Sequence, residues 1–113
     1  VINQLFADSQ VKIAISALSI TEVYAKLLAK NREKHWPEIW EGYSDLYSQV
    51  FPVDTEVAQR ANALRSQTPH RLPTIDGLIA ATAAIHGYTL VHRDPHLAKI
   101  PTDLLDQLRL PAK

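Results

Sequence analysis

The sequence predicts an α/β protein built on a small parallel sheet, and three observations carry that expectation. An Ala-rich helical run, Leu78-Ile79-Ala80-Ala81-Thr82-Ala83, leads through Gly87 into the apolar segment Tyr88-Thr89-Leu90-Val91. A strand that follows a helix after so short a turn usually joins a parallel sheet. Acidic residues stand at the outer ends of this unit: Asp76 opens the helix and Asp94 follows the strand. Helical and strand-like patterns alternate along the rest of the chain, which implies helices on both faces of the sheet.

In chain order, residues 1–7 read as the body of a helix, with Ile2, Leu5 and Phe6 sharing a face. Residues 11–15 alternate apolar and polar side chains and read as a short strand ending at Ser16. Ser19-Ile20-Thr21-Glu22 matches a capping box, opening a helix through Val23, Tyr24, Leu27 and Leu28. Asn31-Arg32-Glu33-Lys34 is a polar break. A third helix is expected over residues 36–48, with Pro37 tolerated in its first turn. Val50-Phe51-Pro52-Val53 reads as a strand, and Asp54 caps a helix over residues 55–66. Residues 68–73 form a loop before the Ala-rich helix and the strand at 88–91. Asp94-Pro95 signals a short helix through Leu97, and residues 102–110 fit either a helix or an edge strand.

Composition narrows the function. At 113 residues the chain is one domain in length. Its 46% hydrophobic and 21% charged residues suit a globular fold. No apolar run approaches the ~20 residues that span a bilayer, the first residues lack the basic region of a secretory leader, and cysteine is absent, which suits a reducing cytoplasm. The 12 basic and 12 acidic side chains cancel, which argues against an architectural DNA binder more than against a nuclease.

Each carboxylate has a purely structural explanation. Glu22 fits the third helical position of a capping box, Asp76 favours its helix dipole, and Asp94 is a good N-cap before proline. Their joint placement says more. Glu22 lies on the helix after one strand, Asp94 at the end of another, and Asp76 on the helix leading into it. In a parallel sheet those strand ends share an edge, where ligands bind. Three carboxylates there would repel one another without a cation, and an all-oxygen set suits Mg²⁺ or Mn²⁺ better than zinc. His92 and His96 flank Asp94 in a His-x-x-x-His spacing, but the run crosses a strand end and a proline, which disfavours helical zinc-pair geometry. Trp36, Trp40, Tyr43 and Tyr47 form one helical stripe, read as core or partner-facing in preference to a base-stacking platform.

With those residues in hand, the chain resembles the PIN-domain family and, within it, the VapC-type toxins of type II toxin–antitoxin pairs. The resemblance spans nearly the whole chain. It is carried by Ser16-Ala17-Leu18-Ser19-Ile20-Thr21-Glu22-Val23, by Leu72-Pro73-Thr74-Ile75-Asp76-Gly77-Leu78-Ile79-Ala80-Ala81-Thr82-Ala83, and by Tyr88-Thr89-Leu90-Val91-His92-Arg93-Asp94. It implies a three-layer α/β/α sandwich with a small parallel sheet and a ribonuclease using Mg²⁺ or Mn²⁺. Glu22, Asp76 and Asp94 would be its catalytic and metal-binding carboxylates, with His92, Arg93 and His96 as outer-shell or RNA-contacting residues.

Two departures accompany it. The family's first acidic residue ends a first strand, and Val1-Ile2-Asn3 resembles the segment just after that motif. Residues 1–113 are therefore expected to form a single PIN-like domain lacking its N-terminal strand, with that strand encoded upstream. His92 stands where similar proteins often carry a hydroxyl, and His96 where another acid or Asn often sits.

The implied reaction is hydrolysis of an RNA phosphodiester by an in-line displacement assisted by one or two cations, with Arg71, Lys26 and Lys30 tracking the backbone. The implied partners are RNA, a cognate antitoxin protein and a second copy in a homodimer, in the cytoplasm and away from any membrane. The alternative is a catalytically inactive PIN-like interaction module. A receiver-like phosphotransfer domain would need an acidic pair after its first strand and a Lys near its last, and neither is visible.

Overall fold

A computed structural model describes residues 12–111. The helix expected over residues 1–7 and the beginning of the first strand at Val11 lie outside the described residues. The chain divides into two compact units, Val1–Pro52 and Val53–Lys113.

In the first unit, β1 (Ala14–Ser16) leads directly into α1 (Ala17–Ala29), a one-turn 3-10 helix (Glu33–His35), α2 (Trp36–Ser44) and β2 (Gln49–Phe51). The two strands pair in parallel, Ala14 with Gln49 and Ser16 with Phe51. Ser16 is both the last residue of β1 and the cap of α1, its Oγ accepting the Leu18 N–H at 3.2 Å. The capping box expected at Ser19 and Glu22 does not form. The helix has already begun at Ala17, which places Glu22 in its second turn, where no orphan N–H needs a cap. Asn31 ends α1 in the left-handed region at φ 56, with Asn31 N–H on Leu28 O and Arg32 N–H on Leu27 O. That is the Schellman arrangement, which Asn tolerates.

α2 stops at Ser44, short of the expected Ser48. Ser48 is taken up by β1, its N–H and Oγ both donating to Ile13 O, the latter at 3.0 Å. The backbone must leave the helix before that point to enter the Ala14–Gln49 register. Pro52 has no N–H to offer a ladder, and β2 ends before it.

The second unit contains α3 (Thr55–Gln67), α4 (Thr74–His86), β3 (Leu90–His92), α5 (Pro95–Ala98) and β4 (Gln107–Arg109). Asp54 caps α3 as expected, its Oδ1 accepting the Val57 N–H at 3.0 Å. Val57, Ala61 and Leu64 recur at helical spacing and are buried against Leu72, Ala80, Ala81, Ala83, Leu97, Ile100 and Leu105. Alanines on both α3 and α4 let the helices approach closely. Gly87, at φ 69, ends α4 in a second Schellman turn, with Tyr88 N–H on Ala83 O at 2.9 Å. Tyr88 is thereby committed to the helix end, so β3 begins at Leu90 and runs to His92, two residues later than the expected start.

The tail resolves as a strand. β4 pairs in parallel with β3, Leu90 with Gln107 and His92 with Arg109. The parallel pairing expected from the sequence is present, carried by two two-stranded sheets among the described residues.

Candidate active site

The proposed site residues fall in both units. Glu22 sits exposed on α1. Asp76 and Asp94 belong to the second unit and bracket the helix–turn–strand that the sequence singles out. Asp76 is half-buried in the first turn of α4, where an anion complements the unsatisfied N–H groups. α4 opens without a side-chain cap: Pro73 precedes it in an extended conformation, and Gly77 N–H reaches Pro73 O at 2.9 Å. Arg65 crosses this turn, its Nε donating to Leu72 O at 3.0 Å. A Cβ on Gly77 would lie 3.2 Å from Arg65 Cγ and Cδ. The missing side chain therefore gives the Arg65 stem its room against α4.

Asp94 lies two residues beyond β3 and caps α5, its Oδ1 accepting the His96 N–H at 2.7 Å. Capping by Asp94 before Pro95 is as the sequence suggests. Asp76 stands ~16 Å of helix before the Gly87 turn, and Asp94 stands ~20 Å of extended chain beyond it. Tyr88 and Leu90 pack against the cluster that contains Ala80 and Ala83.

The histidines divide sharply. His92 is 9% exposed and its ring is bonded on both nitrogens. Nε2 lies 2.8 Å from Gln107 Oε1, and Nδ1 accepts the Asp94 N–H at 3.1 Å. Gln107 in turn donates from Nε2 to Ile100 O at 3.1 Å. A ring so enclosed is not a surface contact for RNA. His96 and Arg93 are exposed, as are Arg71, Lys26 and Lys30. Gln107 is the residue that sequence reasoning misses, because its segment fits helix and strand equally. Its only signal is the β4 register, which sets it diagonal to His92 on one face of the sheet.

Among the described residues, no three His, Cys, Asp or Glu side chains lie close enough together to hold a metal ion. The carboxylates have the hard-oxygen chemistry that suits Mg²⁺ or Mn²⁺, but the described residues alone do not fit a complete metal site. No described helix is long and apolar enough to cross a membrane.

Parallel strand pairs flanked by helices define an α/β protein, and in such folds ligands bind beyond the carboxyl ends of strands, where Asp94 lies. The sequence model of the PIN domain matches residues 2–102. The chain belongs to the PIN domain family, whose members are generally nucleases.

Among solved structures, DNA-bound VapBC from Salmonella typhimurium superposes with a TM-score of 0.71 at 18% identity, covering 85% of this chain and 74% of that one. FitAB bound to an IR36 DNA fragment gives 0.69 at 22% identity, covering 83% and 70%. A toxin–antitoxin complex from Klebsiella pneumoniae gives 0.61 at 26% identity, covering 78% and 68%. No curated protein matches the sequence.

Proposed function

We propose that this chain is an endoribonuclease that hydrolyses RNA phosphodiester bonds as the toxin of a toxin–antitoxin pair. The PIN domain match across residues 2–102 carries this reading. The toxin–antitoxin complex from Klebsiella pneumoniae among its structural neighbours supports the toxin role. Glu22, Asp76 and Asp94 are its proposed catalytic carboxylates, and Arg93 a proposed phosphate contact. Dependence on Mg²⁺ or Mn²⁺ belongs to the proposal, as do a cognate antitoxin protein, a homodimer and a cytoplasmic location.

The electrostatics set a condition on this reaction. A phosphodiester is anionic, so unscreened carboxylates repel it. With a formal net charge of zero, the chain has no surplus of positive charge to offset that repulsion. Cations and exposed basic side chains such as Arg93, Arg71, Lys26 and Lys30 can supply that compensation. The second reading is an inactive PIN-like interaction module. It is favoured by the one observation that no three potential metal ligands converge among the described residues.

Incubation of the complete reading frame's product with RNA, in Mg²⁺ or Mn²⁺ and in EDTA, separates the two. The nuclease cleaves with metal and stops on chelation. A folded protein that leaves a broad RNA pool intact in either metal is the interaction module.

A further inference from the structure

The hydrogen-bond chain through His92 can run in only one direction. At one end is the Asp94 backbone N–H, which can only donate, and at the other Ile100 O, which can only accept. His92 Nδ1 must therefore be bare, the ring proton must sit on Nε2, and that N–H must donate to Gln107 Oε1. Flipping the Gln107 amide would set its oxygen against Ile100 O, acceptor against acceptor. Three bonds thus specify one neutral tautomer and one ring orientation. Two further bonds clamp the same segment: Leu110 N–H donates to His92 O at 2.7 Å, and His96 N–H holds Asp94 Oδ1.

We propose that His92 and Gln107 are positioning residues for Asp94, a brace by which β4 fixes the backbone from which the Asp94 carboxylate projects. The proposal rests on the nuclease reading, in which Asp94 is catalytic. It gives His92 a role distinct from RNA contact or ligation: the ring is buried, and both nitrogens are already used. It also makes the tail beyond Ile100 part of the catalytic apparatus, because Gln107 is the link between them. A carboxylate displaced by as little as an ångström costs a catalytic site on the order of 10²-fold. The brace should therefore show in turnover more than in substrate affinity.

The experiment combines side-chain ¹⁵N NMR with kinetics on the full chain. The wild type is expected to show His92 as the Nε2–H tautomer, with a slowly exchanging Asp94 amide. Gln107→Leu should leave the His92 Nε2–H without its acceptor, speed exchange at Asp94, and lower kcat by ~10–100-fold with KM little changed; Gln107→Thr replaces it should the leucine variant not fold. A wild-type His92 protonated on Nδ1 overturns the brace, and so does a folded Gln107→Leu protein that keeps wild-type turnover. Should the wild type itself cleave no RNA, the nuclease reading fails separately. The brace is then judged on the His92 tautomer and on Asp94 exchange in the variant, with unchanged exchange counting against it.

Discussion

The two compact units are held by different physics. From Val53 onward, aliphatic residues of α3, α4, α5 and the tail close over one another, and Val57, Leu64, Leu72 and Ile100 are almost completely withdrawn from water. In the first unit, the described residues bury only Ser16 and Phe51, while Val23, Tyr24, Leu28, Tyr43 and Leu46 stay exposed. Among the described residues of that unit the contacts are strand pairing, aromatic pairing and backbone capping. Tyr24 meets Trp36 edge-on at 5.7 Å, Trp36 stacks on Trp40 at 5.8 Å, and Tyr43 stacks on Tyr47 at 6.4 Å beyond the end of α2. Small side chains make the difference. Ala61, Ala80, Ala81 and Ala83 let two helices close on each other, whereas the bulky residues of α1 and α2 meet ring to ring. Asp76 and Asp94 belong to the tightly packed unit, whose close packing suits groups that must be held in place.

The sharpest way to break this comparison is a matched pair of truncations. Leu64→Ala, at 2% exposure, should lose about 2–5 kcal/mol in chemical denaturation. Leu28→Ala, at 48% exposure, should change stability by about 0.5 kcal/mol or less. Equal losses would mean that the units do not differ as described.

Trp36→Ala comes next, because it removes both the Tyr24 and the Trp40 contact. Each such pair contributes about 0.5–1.5 kcal/mol beyond its buried area, and the loss should appear in the same denaturation experiment. Gly87→Ala should cost about 1–2 kcal/mol, since an L side chain is strained at φ 69 even though nothing crowds that position.

The smallest effect is alkaline. Burial first, and Tyr43 second, raise the Tyr47 phenol above its ordinary pKa of 10.0. Folding therefore favours the neutral phenol. That contribution is complete below pH 10.0 and is lost as pH rises toward the folded-state value, where the unfolded chain ionises first. A spectrophotometric titration should show one tyrosine ionising late, and Tyr47→Phe should abolish that late component.

Much of this was legible in the residues themselves. Asp54 announced α3, Asp94-Pro95 announced α5, and Gly87 marked the turn from helix to strand, because each feature acts on its own neighbours. The misreadings arose where a neighbouring element or a strand pairing, and not the local pattern, decided the outcome. Ser16 displaced Ser19 as a cap because β1 runs straight into α1. Ser48 left α2 to bond Ile13 O, and β4 emerged from an ambiguous tail only through its pairing with β3. The same limit governs the site. Asp76 and Asp94 were visible as local signals, whereas Gln107 has meaning only through a register that no local pattern encodes.

The most direct test of the account is RNA cleavage by Glu22→Gln, Asp76→Asn and Asp94→Asn, singly and in the Glu22→Gln/Asp76→Asn double variant. Residues that act as a unit in one reaction are strongly non-additive. Each single variant is expected to lose activity by ~10²-fold or more, and the double variant to be no worse than the poorer single one. A folded Glu22→Gln or Asp76→Asn protein that cleaves RNA at the wild-type rate would contradict it.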